Sequence, residues 1–488
     1  MAIRRTNFCL IIFSMLLYAC ETLVNEKEDM PGDILAMVKN KTISVTDFIR
    51  RCEYVPRPVY CSGDNYIHKK IALNSLIAEK ILSLEFDRLG YKNTEVQRAM
   101  INGHKEQTMR HMMLKRFGYD KVKINKDSIN YFAEIRNRVY KIRFIISDDG
   151  QVHNFPKDIG IVQLQNILNI KSEIIEKEIA KNNNMLKEVE DILFYSNPTL
   201  NTLYGPLKTN MEAILYFEIV EWITSPKITE SEKKSSYLEA ENEYKKRTAT
   251  RLYNNYVKTL MKNKRIDFNE EIFHEFSSNI AKIYMIEKER KESSLGNILW
   301  GENIKSELRS MNILNNLNYN IILSHDNREY TVSDILNIIK THPLVFRNKN
   351  INDSMFANEL KYALADLFRD IHITKKAYEL GLDEEYDAIR VEEKWSDFVN
   401  AKIIKTKLNF KESNNKTPSK KLTMKIDSLQ NIYSRYIKID TDKFEEIDLL
   451  KIDMNVIYTN QPRSRVEPDF PILTTDHLLD YGEKTSFD

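Results

Sequence analysis

At 488 residues the chain is long enough for two or three domains, and a hydrophobic content of 42% supplies cores for them. Only 12 Gly and 12 Pro, beside abundant Lys, Glu, Leu, Ile and Asn, exclude a turn-rich all-β protein and favour helices. Lys+Arg (73) and Asp+Glu (71) nearly cancel and interleave, as in Glu287-Lys288-Glu289-Arg290-Lys291-Glu292, so the charge pattern is that of solvated helix faces and no basic stripe points to nucleic acid.

Arg4 and Arg5 precede a short apolar run from Phe8 to Tyr18, the layout of a secretory signal over residues 1–19. The run is too short for a stable bilayer anchor, and no later run is long enough to cross a membrane. Leu17-Tyr18-Ala19-Cys20 resembles the lipobox of bacterial lipoproteins, with Tyr18 an unusual occupant of its position. The resemblance implies that Cys20 is acylated and begins the mature chain, with residues 20–32 as a tether; several acyl chains on one cysteine hold a membrane where one is marginal. Glu21 rather than Asp after that cysteine points toward outer-membrane sorting. The alternative is an ordinary signal peptide that contains a cysteine. Cys9 departs with the signal, so Cys52 and Cys61 remain, in CEYVPRPVYC. In an oxidising compartment they are expected to pair as a disulfide; two separate thiols are the alternative.

Residues 34–38 alternate like a strand, Asn40-Lys41 is a turn, and Ile43 and Val45 resume the strand pattern; Thr46 is then the expected helix N-cap, with Asp47 in the first turn. Apolar residues at Ile67, Ile71, Leu73, Leu76, Ile77, Ile81, Leu84 and Leu89 have helical spacing, and Gly90 is a C-terminal stop. A second helix covers roughly residues 93–117 and a third begins near Asn125. Residues 139–224 read as a small α/β insert: a strand at 140–146, a helix at 161–180, a turn and extended arm at 203–209, and a strand at 214–222.

The opening pattern returns late in the chain. Residues 42–49 match residues 329–336, and LIAEKILSLEFDRLG (76–90) matches LFRDIHITKKAYELG (367–381), which indicates an internal duplication. Leu252-Tyr253-Asn254-Asn255-Tyr256-Val257-Lys258 leads to Ile266-Asp267-Phe268 as Ile432-Tyr433-Ser434-Arg435-Tyr436-Ile437-Lys438 leads to Ile439-Asp440, each read as a helix returning into a short strand. The expected organisation is a first helical module at residues 33–138, completed by helices at 225–317, and a second at 318–460. The polar linker at 411–421 stands where the first module carries the insert, and a Pro-punctuated tail follows at 461–488.

VKNKTISVTDFIRR followed by LNSLIAEKILSLEFDRLG is similar to the N-terminal region of SurA/PpiC-type foldases, which are extracytoplasmic chaperones carrying parvulin-type peptidyl-prolyl isomerase domains. Within the insert, KIRFIIS stands where parvulins place their first strand, DILFYSNPTLNTLYGPLKT resembles their turn and Gly-Pro arm, and LYFEIVEW resembles their last strand. The resemblance covers residues 34–276, with a partial echo at 331–439. It implies a mainly α fold with a small α+β insert: duplicated SurA-N-like helical chaperone modules, the first bearing the parvulin-like domain.

The departures bear on activity. Phe144 stands where the first strand usually has a histidine, and Glu218 is nearest to the histidine of the last strand. No Gly-Gly segment precedes a middle strand between Gly150 and Met185, and His153 falls in a loop. Phe194 fits the aromatic position of the proline pocket, so Phe144, Phe194 and Glu218 are the pocket candidates, with no catalytic residue assigned. Prolyl isomerisation breaks no covalent bond; its barrier of about 18–20 kcal/mol comes from amide resonance, and a site acts by holding the twisted imide. The expected domain is therefore degenerate, serving binding or structure.

His104 and His111, two turns apart on one helix, lack a third ligand, so no metal is expected, and no phosphate loop or nucleophile elbow implies a cofactor. Trp222, Trp300 and Trp395 are expected in cores, and so is the face formed by Tyr237, Tyr244, Tyr253 and Tyr256, which would otherwise line a peptide groove. The resulting expectation is a lipid-anchored, periplasm-facing chaperone of the outer membrane that binds unfolded or extended polypeptides in outer-membrane protein biogenesis. An active isomerase with an altered pocket and a non-enzymatic scaffold subunit of an envelope complex are the alternatives.

Overall fold

The computed structural model describes residues 33–147, 155–156, 159–181, 183–209, 213–225, 227–290, 316–348, 351–408, 417–450, 455–459 and 461–487. The signal, the tether and the lipid site at Cys20 lie outside the described residues, as do Cys9, Gly150, His153 and Trp300. Two compact units emerge: a larger one of Met1–His111 with Asn263–Asp488, and a smaller one of Met112–Lys262. The described residues are mainly helical, with small sheets.

The larger unit opens with the hairpin β1 (Ile34–Val38) and β2 (Lys41–Ser44), then α1 (Val45–Glu53), α2 (Tyr66–Arg88) and α3 (Glu95–Phe117), within which the unit boundary falls. The smaller unit holds α4 (Lys126–Arg136), β3 (Arg138–Ser147), α5 (Ile161–Ile167), β4 (Ile175–Ala180), α6 (Lys187–Tyr195), β5 (Leu203–Lys208), β6 (Ile214–Thr224) and α7 (Glu230–Leu260). The larger unit resumes with β7 (Ile266–Phe268), α8 (Glu270–Arg290), a second hairpin of β8 (Ile321–His325) and β9 (Arg328–Thr331), then α9 (Val332–Thr341), α10 (Asp353–Glu379), α11 (Tyr386–Lys407), α12 (Lys420–Tyr433), β10 (Ile437–Asp440), α13 (Thr441–Glu446) and β11 (Glu483–Thr485).

Each hairpin runs directly into a helix through the same device. Ser44 accepts a hydrogen bond from Asp47 N at 3.0 Å, and Thr331 accepts one from Asp334 N at 3.1 Å. Ser44, rather than the expected Thr46, is the cap, because the strand ends there and Val45 already lies in the helix. Gly90 and Gly381 follow α2 and α10 with φ of +72° and +71°, a left-handed conformation that relieves the last turn and suits glycine.

The third strands do not return to the hairpins that sequence order suggests. β7 pairs antiparallel with β8 of the second hairpin (Ile266 opposite His325, Phe268 opposite Leu323). β10 pairs antiparallel with β1 of the first (Ala36 opposite Ile439, Val38 opposite Ile437). β7 and α8 thus join the second hairpin rather than the first, and β10 and α12 join the first rather than the second. Each strand follows the core of its neighbouring helix. Phe273, Phe276 and Ile280 of α8 bury with Leu323, Phe356 and Phe368. Leu422, Ile426 and Leu429 of α12 bury with α2 and the first hairpin.

Two further expectations change here. The tail is part of the first core: Phe470, Leu473, Leu479 and Tyr481 are buried in it, and β11 adds a parallel strand to β10. Cys52 and Cys61 lie in the same core as thiols, not as a disulfide. Burial pushes the Cys52 thiol up to about 12, which suppresses the thiolate that disulfide exchange requires.

Buried charges lock this core. Arg51 grips Glu79 with two hydrogen bonds of 3.1 and 2.9 Å and donates a third to the backbone oxygen of Asp469 at 2.8 Å. Arg390 of α11 pairs with Asp47, and Lys394 pairs with Glu467 of the tail at 2.8 Å. Asp397, whose side chain is 1% exposed, accepts from Lys41 at 2.6 Å and Lys80 at 2.8 Å. Burial would raise its pKa, but the two ammonium groups outweigh burial and hold it below the ordinary carboxylate range.

Removing one partner of such a group strands the others without compensation. Asp397→Ala is expected to lower the unfolding free energy by about 3–5 kcal/mol, measured by urea denaturation. Asp469→Ala, which breaks the exposed pair with Arg465, is expected to cost no more than about 1 kcal/mol.

Candidate functional site

The smaller unit is built around the long pair β3 and β6, antiparallel from Arg138 opposite Thr224 to Ser147 opposite Ile214. β4 lies on the outer side of β3 and β5 on that of β6, giving the order β4-β3-β6-β5, all antiparallel. Alternation along the strands sends side chains to opposite faces. Tyr140, Ile142, Phe217 and Ile219 bury under Val189, Leu193 and Phe194 of α6. Ile145, Tyr216 and Leu203 bury under Ile161 and Leu164 of α5.

The helix expected at 161–180 is two elements. α5 ends at Ile167, Asn169 takes a φ of +50°, and residues 175–180 form β4. The Gly-Pro arm is β5. Gly205 has a φ of +124°, and a Cβ there would lie 2.8 Å from the backbone oxygen of Leu215, so this close strand approach requires glycine.

The three pocket candidates do not converge. Phe144 of β3 is half-buried against the α6-side cluster. Phe194 of α6 is fully buried in that cluster, its ring edge-on to Tyr140 at 5.3 Å between centroids. Glu218 stands on the other face, opposite Arg143 in register. Its Oε2 accepts the N–H of Ile161 at 3.1 Å, capping the start of α5, and its Oε1 lies 3.9 Å from Arg143 Nη1. The aromatic pair and the carboxylate therefore serve separate layers of the core.

The tyrosine face of α7 also packs rather than lining a groove. Tyr237 and Tyr244 surround Phe132 and Ile129 of α4, and Tyr256 stacks on Phe117 at 3.9 Å. Trp222 packs with Tyr140 at 5.8 Å.

In the larger unit, His104 of α3 stacks on Trp395 at 3.5 Å, and His111 meets Tyr458 edge-on at 5.0 Å. Both are packing residues. Burial, reinforced by neighbouring positive charge, depresses both imidazoles, that of His111 to about 4.

Sequence reading missed two constellations there, because each joins residues with no motif spacing. A cleft of about 160 Å³ is lined in part by His342, Phe346, Arg347, Asp366, Arg369 and Asp370. His342 Nε2 lies 3.3 Å from Asp370 Oδ2, and burial holds the ring neutral against the pull of that carboxylate. Arg347 and Arg369 both bond Asp366, and among the described residues the lining carries no hydroxyl or thiol beside the histidine–aspartate pair. The other constellation, His325, Asp326 and His372, has the donor set and spacing to hold a metal ion.

His104, His111 and His342 are all depressed in the folded state. Below the ordinary histidine pKa of about 6.5 the unfolded chain takes up these protons first, so stability present at neutral pH is lost as pH falls from about 6.5 toward 4. The urea midpoint is expected to drop steadily over that window, with a shallower slope in His111→Gln; a midpoint independent of pH would contradict buried neutral imidazoles.

No helix among the described residues is long and apolar enough to cross a membrane. No family model, no curated protein and no solved structure matches the chain.

Proposed function

We propose that the chain is a lipid-anchored cell-envelope chaperone of the SurA/PpiC type, held at the outer membrane through Cys20, which binds unfolded or extended polypeptides and does not catalyse prolyl isomerisation. The observation that carries the reading is the separation of the pocket candidates. An isomerase site needs an apolar seat for the proline ring and polar groups at the neighbouring carbonyl on one side of the sheet. Here Phe194 is sealed in the core under α6, while Glu218 is committed to the start of α5 on the opposite face.

The resemblance in the N-terminal region is supported by the placement of a four-stranded sheet between helices that precede and follow it. Duplicated helical modules are supported by the paired hairpin–helix units, each capped by a hydroxyl residue with an aspartate three positions on. Binding of extended chains is supported by β4, an edge strand with no strand on its outer side among the described residues, with Ile175 exposed. An edge of this kind receives an extended peptide as an added strand: backbone hydrogen bonds give affinity without sequence demand. Such release and rebinding needs no nucleotide.

The test uses the purified chain in a proline-limited refolding reaction and in an aggregation assay with an unfolded outer-membrane protein. The reading predicts no acceleration of refolding but suppression of aggregation, and it predicts that Cys20→Ala moves the protein out of the membrane fraction. Acceleration that disappears on deleting residues 139–224 would make the protein an enzyme. Failure to suppress aggregation would remove the chaperone role, and continued membrane association of Cys20→Ala would remove the lipid anchor.

A further inference from the structure

The second hairpin turns through two residues, Asp326 and Asn327, with φ of +51° and +61°, the left-handed pair that a tight two-residue hairpin requires. This turn fixes Asp326 immediately beyond His325, the last residue of β8. His372 approaches from α10, in the same unit. His325 Nε2 and His372 Nε2 lie 2.7 Å apart, and His372 Nε2 is 3.5 Å from Asp326 Oδ2. One ligand atom from each of the three residues falls within 4.8 Å of the others.

The geometry points to a zinc-type divalent cation site formed by His325, His372 and Asp326, with a fourth position open to water. Three features carry this beyond proximity. First, the backbone oxygen of Arg265 lies 2.8 Å from His325 Nδ1, so that nitrogen carries the proton and Nε2 presents its lone pair inward. An imidazole oriented by a backbone carbonyl behind it is the usual support of a metal ligand. Second, tetrahedral bonds of about 2.0–2.1 Å separate ligand atoms by about 3.3 Å. Two of the three separations, 2.7 and 3.5 Å, bracket that edge, and all three ligand atoms lie within 4.8 Å of one another, so modest side-chain adjustment closes the site. Third, burial is graded in the manner of a site with one open face: His325 is buried, His372 is half-buried, and Asp326 is exposed.

When the cation enters, the hydrogen shared between the two Nε2 atoms is replaced by two metal bonds, and the proton of His372 moves to its Nδ1. Phe368 and Tyr330 wall the buried side, with His325 and Phe368 at 4.8 Å between centroids. Two ammonium groups oppose the cation: Lys264, which pairs with Asp326, and, at longer range, Lys375. The Lys264 stem is long and partly exposed, and Asp326 has a second oxygen, so that ammonium can withdraw. Filled, the site would clamp the hairpin to α10 and stabilise the unit by ligand linkage.

The test is titration of the untagged full-length chain with Zn2+ by calorimetry, and with Co2+ by visible absorption. The expected result is one ion per chain, a tetrahedral cobalt spectrum, and a rise in thermal midpoint on adding zinc. His372→Ala is expected to weaken binding at least about 100-fold, and Asp326→Asn, which the turn tolerates, about 10-fold or more. Lys264→Met removes the nearer competing charge and is expected to tighten binding, an effect with no counterpart if His325 and His372 merely pack. His372 and Asp326 lie near the surface, so these variants should fold, as the unchanged midpoint without metal would verify. No uptake at a roughly tenfold molar excess of zinc, or uptake indifferent to His372→Ala and Asp326→Asn, would overturn the assignment.

Discussion

The antiparallel pairing of β1 with β10 is the constraint on which the larger unit depends. It brings Ala36 opposite Ile439, close to the two ends of the described chain, and sets β11 beside them. Until β10 arrives, the first hairpin lacks its third strand and α2 lacks the apolar faces of α12 and the tail. A contact of such sequence separation is slow to form, since the closure entropy of the whole intervening chain must be met first. The buried ion pairs extend the same logic. Asp47 and Lys80 are answered by Arg390, Lys394 and Asp397 from beyond residue 386, and Arg51, besides its pair with Glu79, reaches the backbone oxygen of Asp469.

That closure also frees the middle of the chain. The smaller unit has its own two-faced sheet and its own helices, so its core can diverge without disturbing the ion pairs of the larger one. Its interior is packed: Phe194 is buried under α6, and Glu218 of β6 accepts the N–H that opens α5. Contact through an edge strand asks only for exposed backbone and tolerates many sequences.

Much of the fold was legible because periodicity is local. The two hairpins, α2 with its glycine stop, and the central strands β3 and β6 of the insert all follow from spacing within a window of some residues. What failed was non-local or ambiguous. IEKEIA places Glu176, Lys177 and Glu178 in the middle of β4, and an exposed edge strand with charges on both faces has no alternation to read. Ile266-Asp267-Phe268 and Ile437-Lys438-Ile439-Asp440 carry the same short apolar alternation, so nothing in either segment names its hairpin; the helices beside them decide it. The tail buries Phe470, Leu473, Leu479 and Tyr481 without regular structure, so its apolar residues follow no period. His325 and His372 stand 47 positions apart, on a strand and a helix, and only the packing of α10 on the hairpin joins them.

The proposed engagement of polypeptide by strand addition rather than by catalysis is decided by hydrogen exchange with and without an unfolded outer-membrane protein. With strand addition, the client protects the outward-facing backbone amides of β4, while the amides of β3 and β6, already paired on both sides, change little. Protection concentrated around Phe144, Phe194 and α6, with β4 unchanged, would contradict it and return attention to a proline pocket in that layer.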